Sequence, residues 1–550
     1  MTHSLRRRRA SLGLAATALV VTTGLVAPAA ASPGSIPPGQ SQGAGWGNLA
    51  VPDPTTLTLT ETLKGLETGK FTSVDLVKAY LARIEKFEPY YNAFTQMNPN
   101  ALVDAAASDA RREKGHRDVG ALDGVPIVIK DSMDVEGMPT TSGWPLTSPI
   151  SGGISLIPEK DAPVVARLRA AGAIFLGKTN LPILAGSGNN ANNSAYGPTY
   201  DALNKEWAPG GSSSGSAMSV AGGFAVSGLA EETGGSIQNP ASAESLYAVK
   251  PTFGLVPTTG NFPLAGAWRD VIGPLAQSPE DAALMLDVMA GPTPDDPKTA
   301  SAIVPPGGYT SQLSTHALEG KRIGLYGPGW RSGPTGVLSP ETAALYADAV
   351  AKLKAQGATV VEDPFAGSGF ADLRTASPST SGKNNYGIEQ YLERLGPSAA
   401  VHSVEELNGW ADTHGFESDT RIDGMLAGAH VAPDMSAVTA YRDEYDRIFD
   451  KVMDDNHLDA LVFPQQYQEQ GPIFGGTIAA TTVSEINWAQ LPGVVVPDGS
   501  YTSGKPFNLI IVDKKFSEAE MLGYAYDFAK AYGGRIINHD LEATPGPTAP

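Results

Sequence analysis

The stretch Gly210-Gly211-Ser212-Ser213-Ser214-Gly215 is followed by Thr233-Gly234-Gly235-Ser236, so that Ser236 stands 24 residues after Ser212. A third segment, Gly124-Val125-Pro126-Ile127-Val128-Ile129-Lys130-Asp131, lies upstream. Paired glycines let the backbone adopt positive φ and bring N–H groups close to a substrate, as an oxyanion hole requires. A lysine that is buried and neutral can act as the base. Together the three segments predict a serine hydrolase that works without histidine.

The first cluster also fits the G-x-S-x-G pattern of the α/β-hydrolase nucleophile elbow, with Ser213 at its centre. A run of three serines between glycines meets this pattern easily, and the elbow needs a downstream acid and a histidine as well. The available histidines stand in polar sequence that is typical of a protein surface: His402, His414, His430, His457 and His539. An esterase that uses Ser213 and a histidine stays open as an alternative.

Short β-branched runs alternate with helical stretches along most of the chain, which predicts an α/β fold. Strands are expected at 125–129, 174–176, 323–326, 460–463, 494–496 and 509–512. Helices are expected at 164–171, 216–226, 280–289 and 517–532, and also after a cap at Thr72 or Ser73 and from Ser339-Pro340-Glu341.

A mainly helical, polar stretch at 384–455 interrupts this alternation, and we expect it to be an insertion that caps the site. Its aromatic residues are Tyr386, Tyr391, Trp410, Phe416, Tyr441 and Tyr445. The spacing also fits an outer helical layer whose aromatics are simply core. We expect a flexible lead at 32–54, a single domain at 55–540 and a loose tail at 541–550.

The N-terminus predicts a secretory signal peptide at about 1–31. It has a basic stretch at Arg6 to Arg9, an apolar run at 12–26 and a small-residue site at Ala29-Ala30-Ala31, in the expected order. Arg8-Arg9-Ala10-Ser11-Leu12 fits a twin-arginine signal, and ordinary secretion fits as well. Cleavage would remove four arginines and no acids, which moves the formal charge from −19 to −23.

So acidic a chain is a poor partner for nucleic acid or anionic membranes, and no later segment is apolar enough to cross a bilayer. The absence of cysteine excludes disulfides and thiol nucleophiles. No H-E-x-x-H motif occurs, and the eight histidines are too widely spaced to indicate a metal site. We therefore expect neither a metal nor a cofactor. The oligomeric state cannot be read from the sequence.

Several segments, in this order and at these spacings, resemble the amidase signature family from about Thr55 to Tyr532. They are Gly124 to Asp131, Gly177-Lys178-Thr179-Asn180, Pro209 to Gly215, Thr233 to Ala241, Lys250 to Val256, Gly273-Pro274-Leu275 and Leu491 to Pro497. The resemblance implies a central mixed β-sheet covered by helices on both faces.

The resemblance also implies a Ser-Ser-Lys triad in which Ser236 attacks an amide carbonyl and forms an acyl-enzyme. Lys130 would be the base, made neutral by desolvation. Ser212, after a cis peptide bond, would relay the proton between them. The oxyanion hole would consist of the N–H groups of Thr233, Gly234, Gly235 and Ser236. Gly211, Ser213 and Asp131 would support the site, provided that Asp131 points away from Lys130, since its charge favours the ammonium form.

The sequence departs from the family pattern at several positions. Ile183 stands where an acid is frequent, Ala230-Glu231-Glu232 replaces a Gly-Ser-Asp or Gly-Thr-Asp, and Gln238 replaces an arginine. We expect none of these residues to touch the triad, while they make it unsafe to transfer a substrate from relatives. Gln238 also argues against recognition of a carboxylate at that point.

We therefore expect a secreted amidase that hydrolyses C–N bonds of linear amides, with a small-molecule or peptide amide as substrate. C-terminal peptide amides come first, because the helical insertion and export signal resemble the peptide-amidase branch. The export signal argues against the cytoplasmic amidotransferase role of some relatives, which requires a second protein as partner. Esterase or aryl acylamidase activity and an inactive secreted binding protein stay open as alternatives.

Overall fold

The computed structural model describes residues 51–114, 120–186, 193–476 and 478–549. The predicted signal peptide and most of the flexible lead lie outside these residues and stay predictions. Among the described residues, no helix is both long and apolar enough to cross a membrane.

Strands form the centre of the fold, and most of them are buried along their whole length. They are β1 Phe94–Met97, β2 Pro126–Lys130, β3 Ile174–Thr179, β4 Ser227–Glu232, β5 Tyr247–Lys250, β6 Val271–Ala276, β7 Arg322–Leu325, β8 Thr359–Val361, β9 Ala460–Pro464, β10 Gly493–Ser500 and β11 Pro506–Val512.

Helices pack around these strands. They are α1 Leu59–Glu67, α2 Ser73–Tyr91, α3 Ala101–Glu113, α4 Pro163–Ala170, α5 Ser214–Ala221, α6 Gln238–Ala243, α7 Pro279–Met289, α8 Pro340–Ala355, α9 Phe370–Leu373, α10 Asn385–Arg394, α11 Val404–Thr413, α12 Thr420–Leu426, α13 Ser436–Asp455, α14 Glu485–Trp488 and α15 Glu518–Tyr532.

A mixed sheet of 11 strands in the described residues has the order β1-β3-β2-β4-β6-β5-β10-β11-β9-β7-β8. Strand β2 runs parallel to both β3 and β4, with Lys130 opposite Thr179 and Ile129 opposite Leu229. Because the carboxyl ends of parallel strands meet at one edge of a sheet, the ends of β2 and β4 lie side by side. This topology brings Lys130 close to the residues that precede Thr233.

The predicted elements are present, with ends that shift by a few residues. Thr72 caps α2 through a capping box with Asp75, and Ser339 caps α8. The helix expected at 216–226 instead begins at Ser214 and ends at Ala221. Gly222 is its C-cap, and Gly223 takes a φ of 71°, which favours glycine and ends the helix. The expected α/β class is confirmed.

The helical stretch at 384–455 divides between two hydrophobic clusters. Tyr391 belongs to a small cluster with Trp144, Leu156 and Phe262, whereas the aromatic residues of α13 join the main core. Trp410 and Phe416 pack at the edge of the small cluster. Most of the aromatics that suggested a site cap are therefore packed in hydrophobic clusters.

The C-terminal tail, which we expected to be loose, is held against the domain. Lys205 Nζ donates to the carbonyl oxygens of Glu542 and Thr544, and Tyr200 donates its hydroxyl to that of Pro547. Leu541 is buried in the main core. The proline and threonine content that suggested disorder does not prevent these backbone carbonyls from accepting hydrogen bonds.

His430 lies between two carboxylates and links α10 to α11. Its Nε2 is 2.5 Å from Glu405 Oε1 and its Nδ1 is 3.1 Å from Glu389 Oε1. These are the three residues that come close enough in the described chain to be potential metal ligands. A neutral imidazole has one N–H, so only the protonated ring donates to both carboxylates. The hydrogen bond and charge of Glu405 accordingly raise the pKa of His430.

We predict that His430→Gln removes a pH-dependent part of the stability. A pKa that is raised in the folded state stabilises the protein below the unfolded value of about 6.5, and the effect fades as pH rises through the folded pKa. Urea unfolding at about pH 6 and about pH 9 should show a smaller stability difference between variant and wild type at the higher pH. The exposed His316→Gln is the control. If His430→Gln loses the same free energy of unfolding at both pH values, the protonated His430 does not stabilise the fold.

Candidate active site

Lys130, the last residue of β2, is fully buried, and its side-chain nitrogen reaches three oxygens. Nζ lies 2.8 Å from Ser212 Oγ, 2.9 Å from the carbonyl oxygen of Glu231 and 2.7 Å from Glu231 Oε2. Burial lowers the pKa of Lys130, while the charge of Glu231 acts in the opposite direction. The structure thus joins the predicted base to the predicted relay serine.

Asp131, adjacent in sequence, points away from Lys130. It forms a fully buried ion pair with Lys178 at 2.8 Å and accepts a hydrogen bond from the hydroxyl of Thr141. This meets the condition under which Lys130 can act as a base beside an aspartate. Asp131 therefore supports the segment that follows β2 and leaves Lys130 to other partners.

Ser212 follows a cis peptide bond with Gly211, as the resemblance implied. Gly210 takes a φ of 71°, and a Cβ at this position would lie 2.5 Å from the Cα of Pro240. Only glycine fits so close to another backbone segment. The first glycine-serine cluster thus packs directly against α6, the helix that follows the second cluster.

Ser236 lies in the turn between β4 and α6. Its side chain makes no hydrogen bond within the described residues, and the residue retains 5% of its surface exposed. The backbone N–H groups of Gly234, Gly235 and Ser236 likewise have no acceptor in the described part of the chain. Gly235 takes a φ of 98°. A hydroxyl beside unpaired N–H groups is what a nucleophile and oxyanion hole require.

Ser213 is fully buried and donates its hydroxyl to the carbonyl oxygen of Glu231 at 3.2 Å. The five histidines considered for an esterase lie at or near the surface, and those with a side-chain partner contact groups other than Ser213. The nucleophile elbow therefore receives no support from the geometry. Ser213 instead helps to hold the end of β4.

We expected that none of the departures from the family pattern would touch the triad. That expectation is wrong for Glu231, which contacts Lys130. It is fully buried, and Oε2 contacts Lys130 while Oε1 lies 3.0 Å from Thr233 Oγ1. Thr233 Oγ1 is also 2.7 Å from Asp270 Oδ1. Burial raises the pKa of Glu231, and the charge of Lys130 opposes this. The unusual Ala230-Glu231-Glu232 segment was the signal that could have identified it.

Glu232 and Gln238 form a second buried contact beside the first. Glu232 Oε2 accepts from the N–H groups of Ile237 and Gln238, and Oε1 accepts from the side-chain amides of Gln238 and Asn487. Gln238 Oε1 accepts from Thr482. Gln238 is thus fully engaged within the protein, in keeping with the expectation that it does not bind a carboxylate. Ile183 lies apart, in a short 3₁₀ turn.

The second cluster is flanked by side chains that the sequence did not suggest. Arg269 donates from Nε to the carbonyl oxygen of Thr233 at 3.0 Å and lies 5.0 Å from the centre of the Trp488 ring. A Cβ at Gly235 would lie 2.9 Å from Val483. Thr233 and Gly234 are half-buried, so this side of the cluster reaches solvent.

A profile of the amidase family matches residues 75–522. The chain is 33% identical to a glutamyl-tRNA(Gln) amidotransferase component of Chloroflexus aggregans over 86% of this chain and 96% of that protein. The fold resembles native peptide amidase from Stenotrophomonas maltophilia, with a TM-score of 0.72, 29% identity and coverage of 87% and 97%. The fold also resembles a peptide amidase in complex with the competitive inhibitor chymostatin, with a TM-score of 0.74 and 30% identity. The match covers 87% of this chain and 98% of that chain.

We predict that Glu232→Gln destabilises the fold. Four donors point at the carboxylate, so an amide NH₂ in its place would face donors and leave buried groups unpaired. The free energy of unfolding should fall by about 2 kcal/mol or more, measured by urea unfolding. The same substitution at the exposed Glu393 should change it by less than about 0.5 kcal/mol. Equal stability of the two variants would show that Glu232 does not hold this turn.

Proposed function

Because the chain belongs to the amidase family, we propose that it is a secreted amidase that hydrolyses carboxamide C–N bonds through Ser236, Ser212 and Lys130. The observation that supports this most strongly is the 2.8 Å contact between the water-excluded Nζ of Lys130 and Ser212 Oγ. Desolvation favours the neutral amine, which is the form that can accept a proton.

In the proposed first step, Lys130 takes a proton from Ser212 while Ser212 takes the proton of Ser236. Ser236 Oγ then bonds to the carbonyl carbon of the amide, and the negative charge moves to the carbonyl oxygen. The backbone N–H groups of Thr233, Gly234, Gly235 and Ser236 stabilise that charge. Fixed donors in a site shielded from water are worth more than the same donors in solution.

In the second step the C–N bond breaks and the proton on Lys130 returns through Ser212 to the departing nitrogen. Ammonia or an amine leaves, and the acyl group stays on Ser236. A water molecule then attacks the ester carbon and passes its proton to Lys130 along the same route. The ester bond to Ser236 Oγ breaks, the carboxylic acid leaves, and the proton returns from Lys130 through Ser212 to Ser236. Every proton in these steps moves between oxygen and nitrogen atoms of the chain, the substrate and water. The reaction steps therefore balance without a cofactor.

Amides of peptides are the proposed substrate class. Two structural neighbours are peptide amidases, and the chain aligns with nearly their whole length. The predicted signal peptide is consistent with a role outside the cell, where peptides are available. Gln238, paired with Glu232, leaves no cation at the position where an arginine is usual, as suits a substrate whose C-terminus is an uncharged amide.

A second candidate function is glutamine hydrolysis as part of an amidotransferase, favoured by the 33% identity to a glutamyl-tRNA(Gln) amidotransferase component. The predicted export signal argues against it. Free glutamine in the substrate panel distinguishes the two functions, since a peptide amidase should release ammonia from C-terminal peptide amides and much less from glutamine.

We predict that Lys130→Met abolishes ammonia release from peptide amides, with kcat lower by about a thousandfold or more, as for loss of a general base. Ser236→Ala should be at least as inactive. The matched control is Lys250→Met, which removes another fully buried lysine, one that donates to the carbonyl oxygen of Leu491. The release should be followed across peptide amides, aliphatic amides, anilides and glutamine. Activity in Lys130→Met would overturn the proposal.

A further inference from the structure

Five polar contacts around Lys130 and Glu231 carry information about where protons reside. Lys130 Nζ has three oxygen neighbours, and Thr233 Oγ1 stands between a Glu231 oxygen at 3.0 Å and an Asp270 oxygen at 2.7 Å. Thr233 is half-buried, and the other side chains in these contacts are buried. Each contact needs one hydrogen, so the donors can be counted.

The hydroxyl of Thr233 has a single hydrogen but faces two carboxyl oxygens. If both acids were ionised, one of the two contacts would bring two oxygens together without a proton. Asp270 also accepts from the backbone N–H groups of Leu264 and Ala265, so that both of its oxygens already act as acceptors. The extra hydrogen therefore belongs to Glu231, whose Oε1 has only Thr233 as a partner among the described residues.

The same count holds at Lys130. A neutral amine has two hydrogens, for the carbonyl oxygen and Oε2 of Glu231, and one lone pair, which then faces Ser212 and accepts its hydroxyl hydrogen. A protonated Glu231 and a neutral Lys130 satisfy all five contacts. The charged pair leaves the second contact of Thr233 without a hydrogen. Burial acts in the same direction on both groups, because it lowers the pKa of Lys130 and raises that of Glu231.

We propose that Glu231 is a positioning residue that holds the resting proton, and so presents Lys130 to Ser212 as a neutral amine with its lone pair directed at the serine. The inference rests on the proposed function and adds a fourth side chain to its proton network. No atoms are gained or lost at rest: one proton is bound by Glu231 instead of Lys130. When Ser236 attacks, Lys130 becomes the ammonium and Glu231 keeps its hydrogen.

The adjacent residues Glu231 and Glu232 differ in the hydrogen-bond partners of their carboxyl groups. Glu232 has four donors pointing at its oxygens and only accepts, whereas Glu231 has a donor on one oxygen and needs to donate from the other. Glutamine reproduces a protonated glutamic acid, with its oxygen toward Lys130 and its NH₂ toward Thr233. It cannot reproduce a carboxylate.

The kinetic test compares Glu231→Gln and Glu231→Leu with wild type and records pH profiles of kcat/KM. Glu231→Gln should lower kcat by about tenfold or less and leave the acid limb of the profile in place. Glu231→Leu, which removes both hydrogen bonds, should lower kcat by about a hundredfold with little change in KM. If Glu231→Gln loses as much kcat as Glu231→Leu, or if the acid limb of its profile moves to higher pH, a carboxylate charge is required and the proposal fails. A fully active Glu231→Leu would show that Glu231 takes no part.

An infrared difference spectrum of wild type minus Glu231→Gln tests the same inference without turnover and without the leucine variant. The carbonyl band of a protonated carboxylic acid should appear in the difference at neutral pH. Other acids, such as the half-buried Glu88, whose pKa is raised to about 8 by desolvation, occur in both proteins and cancel. A difference with only carboxylate bands would overturn the proposal. If wild type hydrolyses no amide, the proposed function fails while the infrared result still decides the location of the proton.

Discussion

The burial of one amine, Nζ of Lys130, is the constraint on which the rest of the site depends. Water would hydrate the ammonium and hold it charged, whereas a sealed position at the end of β2 favours the neutral form. The three oxygens that surround Nζ are all supplied by the protein, from Ser212 and Glu231. Both residues must therefore stand within hydrogen-bond distance of the same strand end, and the sheet topology achieves this.

The mixed sheet explains how sequence-distant segments meet at this amine. Parallel pairing of β2 with β4 places the two strand ends side by side, and the chain turns directly from β4 into Thr233-Gly234-Gly235-Ser236. Glycine at 210 lets the serine cluster approach the backbone at Pro240 closely. The hydroxyl of Ser236 and the N–H groups of the glycine turn are thus presented at a half-buried position, while the base lies deeper, at the edge of the same sheet.

Much of this arrangement could be predicted from sequence, because it depends on local rules. Capping residues and apolar periodicity predicted α2 and α8, and the resemblance to the amidase signature family implied the contact between Ser212 and Lys130. What the sequence could not supply are contacts set by tertiary packing. Asp131 is adjacent to Lys130 in sequence but pairs with Lys178. Glu231 is 101 residues away from Lys130 in sequence, yet it contacts the Lys130 side chain. Arg269 reaches the second cluster from a segment that carries no motif, and Trp488 packs against Arg269. The tail appeared loose by composition, yet its carbonyls bind Lys205.

The central claim is that Ser236, activated through Ser212 by Lys130, is the nucleophile. The most direct measurement is covalent labelling with a serine-directed phosphonylating probe, followed by mass spectrometry of proteolytic peptides. The account predicts a single label on Ser236 in wild type and none in a folded Lys130→Met variant. A label on Ser213, or a label on Ser236 that persists at an undiminished rate without Lys130, would contradict it.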